Sequence, residues 1–269
     1  MRVIRTSPEL RAALAPERER EARLGLVPTM GALHAGHVSL IAAAREASDL
    51  VVVSLFLNPT QFGRGEDLDR YPRDEASDIT TAEGAGVDLL FAPAADEMYP
   101  DGFDTWVDPG KVGTYLEGAA RPGHFRGVAT ICTRLFLLVE PQRAYFGRKD
   151  AQQVAVVKQL VRDLALPVEI VACPTVRDAD GLALSSRNAF LSPDERAAAL
   201  ALPRALQAGL VAHRSGGDVV RAARAVLDAE PGLRVDYLAE ADLDGATLAA
   251  AAVVGSTRLI DNVRLDAEE

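Results

Sequence analysis

Short apolar runs alternate with helical stretches through the first two thirds of this chain, and that alternation restricts the fold more than any other feature. The runs lie at 25–28, 50–57, 87–91, 143–146 and 168–172, and helical patterning fills 36–47, 74–85, 127–139 and 151–164. Each run is short and apolar or β-branched, which suits a strand. Strands separated by helices form a mainly parallel sheet covered on both faces, with right-handed crossovers. The expected fold is therefore α/β, a Rossmann-like doubly wound parallel sheet with a smaller C-terminal α+β domain. Pro174 and the Asp/Gly-rich stretch 177–181 mark the boundary, giving domains 1–174 and 175–269. Beyond it, Ser192, Pro193 and Glu195 form a helix start of cap, first-position proline and third-position carboxylate. That helix should reach about Gly209, followed by a helix near 218–229 and strands near 234–239 and 252–260.

Composition narrows the function classes. A chain of 269 residues that is 48% hydrophobic and 25% charged can bury a sizeable core. Its net charge of −10 argues against a nucleic-acid or anionic-membrane partner. A local cluster of Lys and Arg can still receive a small anion. The two cysteines, Cys132 and Cys173, sit in apolar surroundings and read as buried thiols rather than a disulfide scaffold. The first 14 residues mix charges with apolar residues, and no uncharged apolar run is long enough to span a bilayer. The cytoplasm is the expected location.

The loop after the first run carries the strongest chemical signal. Met30, Gly31, Ala32, Leu33, His34, Ala35, Gly36 and His37 join a strand directly to a helix start. First-turn amides of a helix lack internal partners, so such a loop suits a phosphate. The two glycines let the backbone turn sharply and an anion approach. His34 and His37, three apart, would share one face of a helical turn. The same residues also fit a plain strand–turn–helix with locally bonded histidines, or an H-x-x-H metal pair, although no further ligand stands nearby at zinc spacing.

Three other polar clusters follow strand ends or the domain boundary. Asn58 and Gln61 offer amides that bond a hydroxyl or carboxylate without adding charge, and lead into a polar loop at 63–73. Lys149 stands just past the fourth run, where an ammonium can meet a phosphate. Ser185, Ser186 and Arg187 combine hydroxyls with a guanidinium, which suits phosphate oxygens. In open α/β sheets ligands gather at the carboxyl ends of the strands, so the first clusters converge on one edge.

With those segments in order, the chain resembles the pantoate–β-alanine ligases (pantothenate synthetases). The matching blocks are 28–37, 57–63 with 71–73, 121–128, 146–153 and 174–188, covering nearly the whole first domain and the boundary. The family belongs to the nucleotidyltransferases with paired HIGH-like and KMSKS-like motifs, which correspond here to 34–37 and 184–187. The resemblance implies ATP-dependent condensation of pantoate with β-alanine through a pantoyl adenylate, releasing AMP and pyrophosphate. It implies that Met30 to His37 wraps ATP, with His37 donating to the developing phosphate charge and His34 beside it. Gly147, Arg148, Lys149 and Asp150 would form a second ATP segment, with Lys149 on phosphate and Asp150 toward the nucleoside. Val176 would meet adenine through its backbone, and Leu184, Ser185, Ser186 and Arg187 would close over the phosphates. Gln61 and Gln153 would hold pantoate, helped by Asn58. Asp78 matches an acidic position linked to Mg2+, which would accompany ATP. A homodimer, a C-terminal lid and small-molecule partners alone, with no nucleic acid or membrane, complete the expectation.

This chain departs from the family pattern at Arg148, where many relatives have Glu, at Ala151, where many have Tyr, and at Leu184, where many have Met. Arg148 alone changes the local charge. A nucleotidyltransferase with a different acceptor and a non-catalytic adenylate-binding regulator are the competing readings.

Overall fold

The computed structural model describes residues 1–63 and 65–266. Arg64, within the polar loop expected at 63–73, and residues 267–269, the end of the expected second domain, lie outside the described residues. The chain divides into two compact units.

The first unit comprises Met1–Gly147 and Gln153–Cys173. In chain order it contains β1 (Arg2–Ile4), α1 (Ser7–Glu19), β2 (Leu24–Thr29), α2 (Ala35–Ala47), β3 (Leu50–Leu55) and α3 (Glu75–Gly84). There follow β4 (Leu89–Phe91), the single-turn helices α4 (Ala95–Met98) and α5 (Glu117–Ala120), α6 (His124–Val139), β5 (Arg143–Gly147), α7 (Ala151–Asp163, in this unit from Gln153 on) and β6 (Glu169–Cys173). The six strands are all parallel, in the order β1-β4-β3-β2-β5-β6. Strand order reverses on either side of β2, so the crevice between the carboxyl ends of β2 and β5 is a topological switch point.

Alternation along each strand sorts side chains into two cores. Leu24, Leu26, Val52, Phe91, Ala144 and Phe146 pack with Leu10, Leu14 and the apolar face of α6. Val27, Val51, Val53, Leu90 and Tyr145 pack on the other face with Leu40, Ile41 and Ala44 of α2. This is the doubly wound sheet expected from the sequence. The edge strand β1, the helix α1 and the two single-turn helices lie outside the expected elements; β1 and the single-turn helices are too short to generate a period.

The second unit comprises Arg148–Gln152 and the chain from Pro174 on. The division at 174/175 drawn from the sequence leaves the segment 148–152 in the first domain. In the structure it groups with the second unit, because Arg148 pairs with Asp244 at 3.0 Å and Asn262 bonds the carbonyls of Arg148 and Lys149. Here α8 (Pro193–Ala199), α9 (Ala201–Arg214) and α10 (Val219–Asp228) precede an antiparallel sheet of β7 (Leu233–Asp242), β8 (Ala246–Val254) and β9 (Thr257–Arg264). Ser192 and Glu195 form the reciprocal cap expected from their spacing.

Three expectations for this unit need correction. The single helix expected from 193 breaks at Leu200, just before Pro203, whose ring denies the preceding turn a hydrogen bond. Gly209 does not end α9 but lies inside it, where any Cβ would strike Leu248. The strand expected at 252–260 is instead the end of β8 and the start of β9, separated by Gly255 at φ 56°. The middle of β8 is an alanine run, 249–252, of low strand propensity, and Ala250 and Ala252 are buried in the core that α9 shares with this sheet.

Candidate active site

In the first unit, β2 delivers the chain into the loop that holds His34 and His37. His34 is not inside α2 but caps it: its Nδ1 accepts the Gly36 N–H at 3.1 Å. The His37 Nδ1 accepts the His34 N–H at 3.2 Å, completing a reciprocal cap. A ring nitrogen that accepts an N–H carries no proton, so each neutral ring holds its proton on Nε2. The two ring centroids are 4.1 Å apart.

Two loop amides just ahead of α2 have a partner within the protein. Ala32 and Leu33 donate their N–H groups to the two carboxylate oxygens of Asp78, at 3.0 and 2.6 Å. Gly31 and Ala32 adopt φ of 94° and 52°, which turns successive amides into a concave anion-binding nest. Asp78, 5% exposed, supplies that anion from α3. A Cβ on Gly31 would stand 3.1 Å from Asp78 Oδ2, so a side chain there would crowd the brace.

Asp78 is a poor sole anchor for a metal ion. Both of its oxygens already accept amides, and the described residues contain no group of three or more His, Cys, Asp or Glu arranged to hold one. The donor set fits a loop brace.

The Asn58–Gln61 turn is a chain of assigned donors and acceptors. Asn58, 1% exposed, places one amide atom against the Gly127 carbonyl (3.2 Å), which only accepts, and the other against the Thr60 N–H (3.3 Å), which only donates. The orientation of its amide is thereby settled. Tyr99 Oη and Thr60 Oγ1 add donations to Asn58 Oδ1 at 2.8 and 2.9 Å. Burial lifts the Tyr99 phenol above its ordinary pKa, which keeps it a donor. Asn58 Nδ2 in turn donates to Gln61 Oε1 at 3.1 Å, so Gln61 turns its NH2 group the other way, toward Met30 Sδ at 2.8 Å. Asn58 thereby holds the Gln61 side chain. Gln61 presents a donor.

A second layer grips the backbone of this turn. His124, at the start of α6, donates from Nδ1 to the Gln61 carbonyl at 2.8 Å, and its Nε2 faces Arg121 Nη1 at 3.3 Å. Burial and then the Arg121 charge push its pKa down to about 4. Arg121 pairs with Glu66 at 2.5 Å and also reaches the Gln61 carbonyl. Burial alone would raise the Glu66 carboxyl, but the guanidinium outweighs it and holds the group below its ordinary value. Gly127 lets α6 approach this closely: a Cβ there would lie 2.6 Å from the Thr60 carbonyl oxygen and 2.7 Å from the Gln61 nitrogen. Gln153 lies in the first turn of α7, half-buried.

In the second unit, Arg148–Asp150 form a short 3-10 turn that follows β5, with Lys149 Nζ 3.4 Å from Asp150 Oδ1. The Arg148 guanidinium pairs with Asp244 at 3.0 Å. Val176 and Leu184 are brought together, the Leu184 N–H donating to the Val176 carbonyl at 2.9 Å, and Arg177 bridges Ala183. Ser185 caps the next 3-10 turn by accepting the Arg187 N–H at 3.3 Å, with Ser186 and Arg187 inside it.

In the first unit the expected residues lie on the 30–37 loop and the 58–61 turn, with Asp78 on α3 and Gln153 on α7; in the second they lie at 148–150, at Val176 and at 184–187. The supporting residues Tyr99, Arg121, His124 and Asn262 were not singled out by chemistry in the sequence. Of these, Arg121 and His124 lie in a block that carries the family resemblance, whereas isolated Tyr99 and Asn262 give no local signal.

Known proteins bear the same arrangement of sequence and fold. The family model for pantoate-beta-alanine ligase matches residues 2–264. A pantothenate synthetase of Roseiflexus sp. (strain RS-1) is 54% identical over 99% of this chain and 100% of its own length. The crystal structure of pantothenate synthetase from Thermus thermophilus matches at TM-score 0.93 and 50% identity, covering 98% of this chain and 99% of that one. The pantoate-beta-alanine ligase of Francisella tularensis, crystallised with beta-gamma ATP and beta-alanine, matches at TM-score 0.85 and 33% identity, covering 100% of this chain and 99% of that one.

Proposed function

This chain belongs to the pantoate–β-alanine ligase family, and from that membership we propose that it joins pantoate to β-alanine using ATP, through a pantoyl adenylate. In the first step the pantoate carboxylate attacks the α-phosphorus of ATP and pyrophosphate leaves. In the second the β-alanine amine attacks the activated carbonyl, forming the amide and releasing AMP. No protein nucleophile is required. Holding carboxylate and phosphorus in line is worth up to about 7–11 kcal/mol in favourable cases.

The locked amide of Gln61 gives this reading its main support. Its Oε1 is occupied by Asn58, so Gln61 offers N–H donors, the right complement for the oxygens of a hydroxy acid. An amide orients a carboxylate without the charge withdrawal of a guanidinium salt bridge, which leaves the attacking oxygen nucleophilic. Gln153 is the second pantoate holder in this proposal. His37 and His34 donate from Nε2 to charge growing on the phosphates, and Lys149 and Arg187 neutralise it. Met30 to His37, Gly147 to Asp150, Val176 and Leu184 to Arg187 are proposed as ATP segments. Magnesium, when bound, neutralises triphosphate charge, and it would travel on the nucleotide oxygens, since Asp78 is engaged by the loop amides.

The domain roles (ATP and pantoate binding for 1–174, a lid for 175–269), the homodimer and cytoplasmic residence also stand as proposals from family resemblance. Among the described residues, no helix is long and apolar enough to cross a membrane. Light scattering of the purified chain tests the dimer. The decisive test of the reaction is mass-spectrometric detection of pantoyl adenylate from ATP and pantoate without β-alanine. AMP release that ignores pantoate would overturn it.

A further inference from the structure

The segment 148–150 leaves β5 as a 3-10 turn and depends on a distant strand for its shape. Asn262, on β9 and 8% exposed, donates its side-chain amide to two successive carbonyls, those of Arg148 (2.8 Å) and Lys149 (2.9 Å). The carbonyl and the following N–H of a trans peptide point in opposite directions. Pinning these two carbonyls toward Asn262 therefore turns the N–H groups of Lys149 and Asp150 away from it. The direction in which the Lys149 side chain leaves the backbone is set by the same two peptide planes.

The neighbouring residue on β9 does comparable work on another segment. Asp261, 3% exposed, accepts both prongs of Arg177, at 2.7 and 3.0 Å, and also the Asn262 N–H at 2.8 Å. Arg177 directly follows Val176, whose carbonyl is bonded by Leu184. One strand thus registers two segments of the second unit that are assigned to the nucleotide, although neither Asp261 nor Asn262 is assigned to it.

We propose that Asn262 is a positioning residue for adenylate formation, acting through the backbone of Arg148 and Lys149 to aim the Lys149 ammonium. The proposal rests on the reading that Lys149 serves the triphosphate. Its cost when removed is that of a misaimed charge, for which about 10–100-fold in rate is a fitting scale.

The test is a double-mutant cycle on the full chain, read by pantoate-dependent ATP–pyrophosphate exchange without β-alanine. Asn262→Ala should lower kcat for exchange about 10–100-fold and leave the pantoate KM within about twofold. Asn262→Ser, which keeps one donor, should fall between Ala and Asn and guards against a variant that fails to fold. In a Lys149→Ala background the Asn262→Ala change should cost less than about twofold more, because its target is gone. An equal loss in both backgrounds, a defect confined to the pantoate KM, or no loss at all overturns the proposal. Full exchange by Lys149→Ala alone would instead overturn the reading of Lys149, a result read from a different arm.

Discussion

Acidification should destabilise the fold through one buried group, His124. Its ring is neutral in the folded protein, donating to the Gln61 carbonyl from Nδ1 and facing the Arg121 guanidinium with Nε2. A second proton would put an N–H against that guanidinium and bury a charge. The ordinary imidazole value of 6.5 therefore falls to about 4, through burial first and Arg121 second, with Glu117 and Glu66 opposing. Because the folded value is the lower one, the unfolded chain takes up the proton first as pH falls. The stability from this group is complete above about 6.5, declines below it, and is gone once pH drops past the folded value. Between pH 7 and pH 4.5 that amounts to about 2 kcal/mol, a large share of the 5–15 kcal/mol typical of a folded domain. Carboxylates also titrate in this range, so the assay compares two proteins. Urea unfolding at both pH values should show His124→Asn losing about 2 kcal/mol less than the parent chain. Asn keeps a donor near the Nδ1 position and cannot titrate. Because the folded ring stays mostly neutral until pH approaches 4, His124 itself should leave the pantoate KM of the parent unchanged between pH 7 and pH 5. Identical pH dependence of stability in the two proteins would refute the reasoning.

Asp78→Ala should lower the melting temperature and slow adenylation by releasing the amides of Ala32 and Leu33, two charge-assisted bonds worth roughly 1.5–3 kcal/mol each. Recovery of activity with excess magnesium would show that the carboxylate serves a metal instead of the loop. Gly127→Ala should push a Cβ into the Thr60–Gln61 peptide and raise the pantoate KM more than the ATP KM. Equal KM values for parent and variant would mean that the turn yields without moving Gln61. His37→Ala should slow adenylation roughly 10²–10³-fold, the scale for losing one preorganised donor. Near-normal turnover would remove His37 from the chemistry. Nitrogen-15 spectra of the histidines should report Nε2–H tautomers for both His34 and His37.

Much of the first unit was legible in the chain because its causes are local. The runs at 50–57 and 87–91 are strands since apolar residues fill both faces of a parallel sheet, and the observed β3 and β4 lie inside them. The Ser192 cap was readable from three side chains. The alanine run of β8 was not, because only the helices packed on it explain why small residues form a strand there. Nor could any local rule foresee that Gly209 stays helical for the sake of Leu248.

The same division holds at the site. The order of His34, His37, Asn58, Gln61, Lys149 and Arg187 along the chain carries the resemblance to a family, and so the class of reaction, without coordinates. Which atom of each residue is used was decided by tertiary contacts. Asp78 lies 46 residues from Ala32 in sequence, and Asn262 lies 113 from Lys149, yet these pairs determine where the amides and the ammonium point. Hydrogen-bond direction depends on which donor faces which acceptor across the fold. Residue type is written along one dimension, and that pairing is settled only in three.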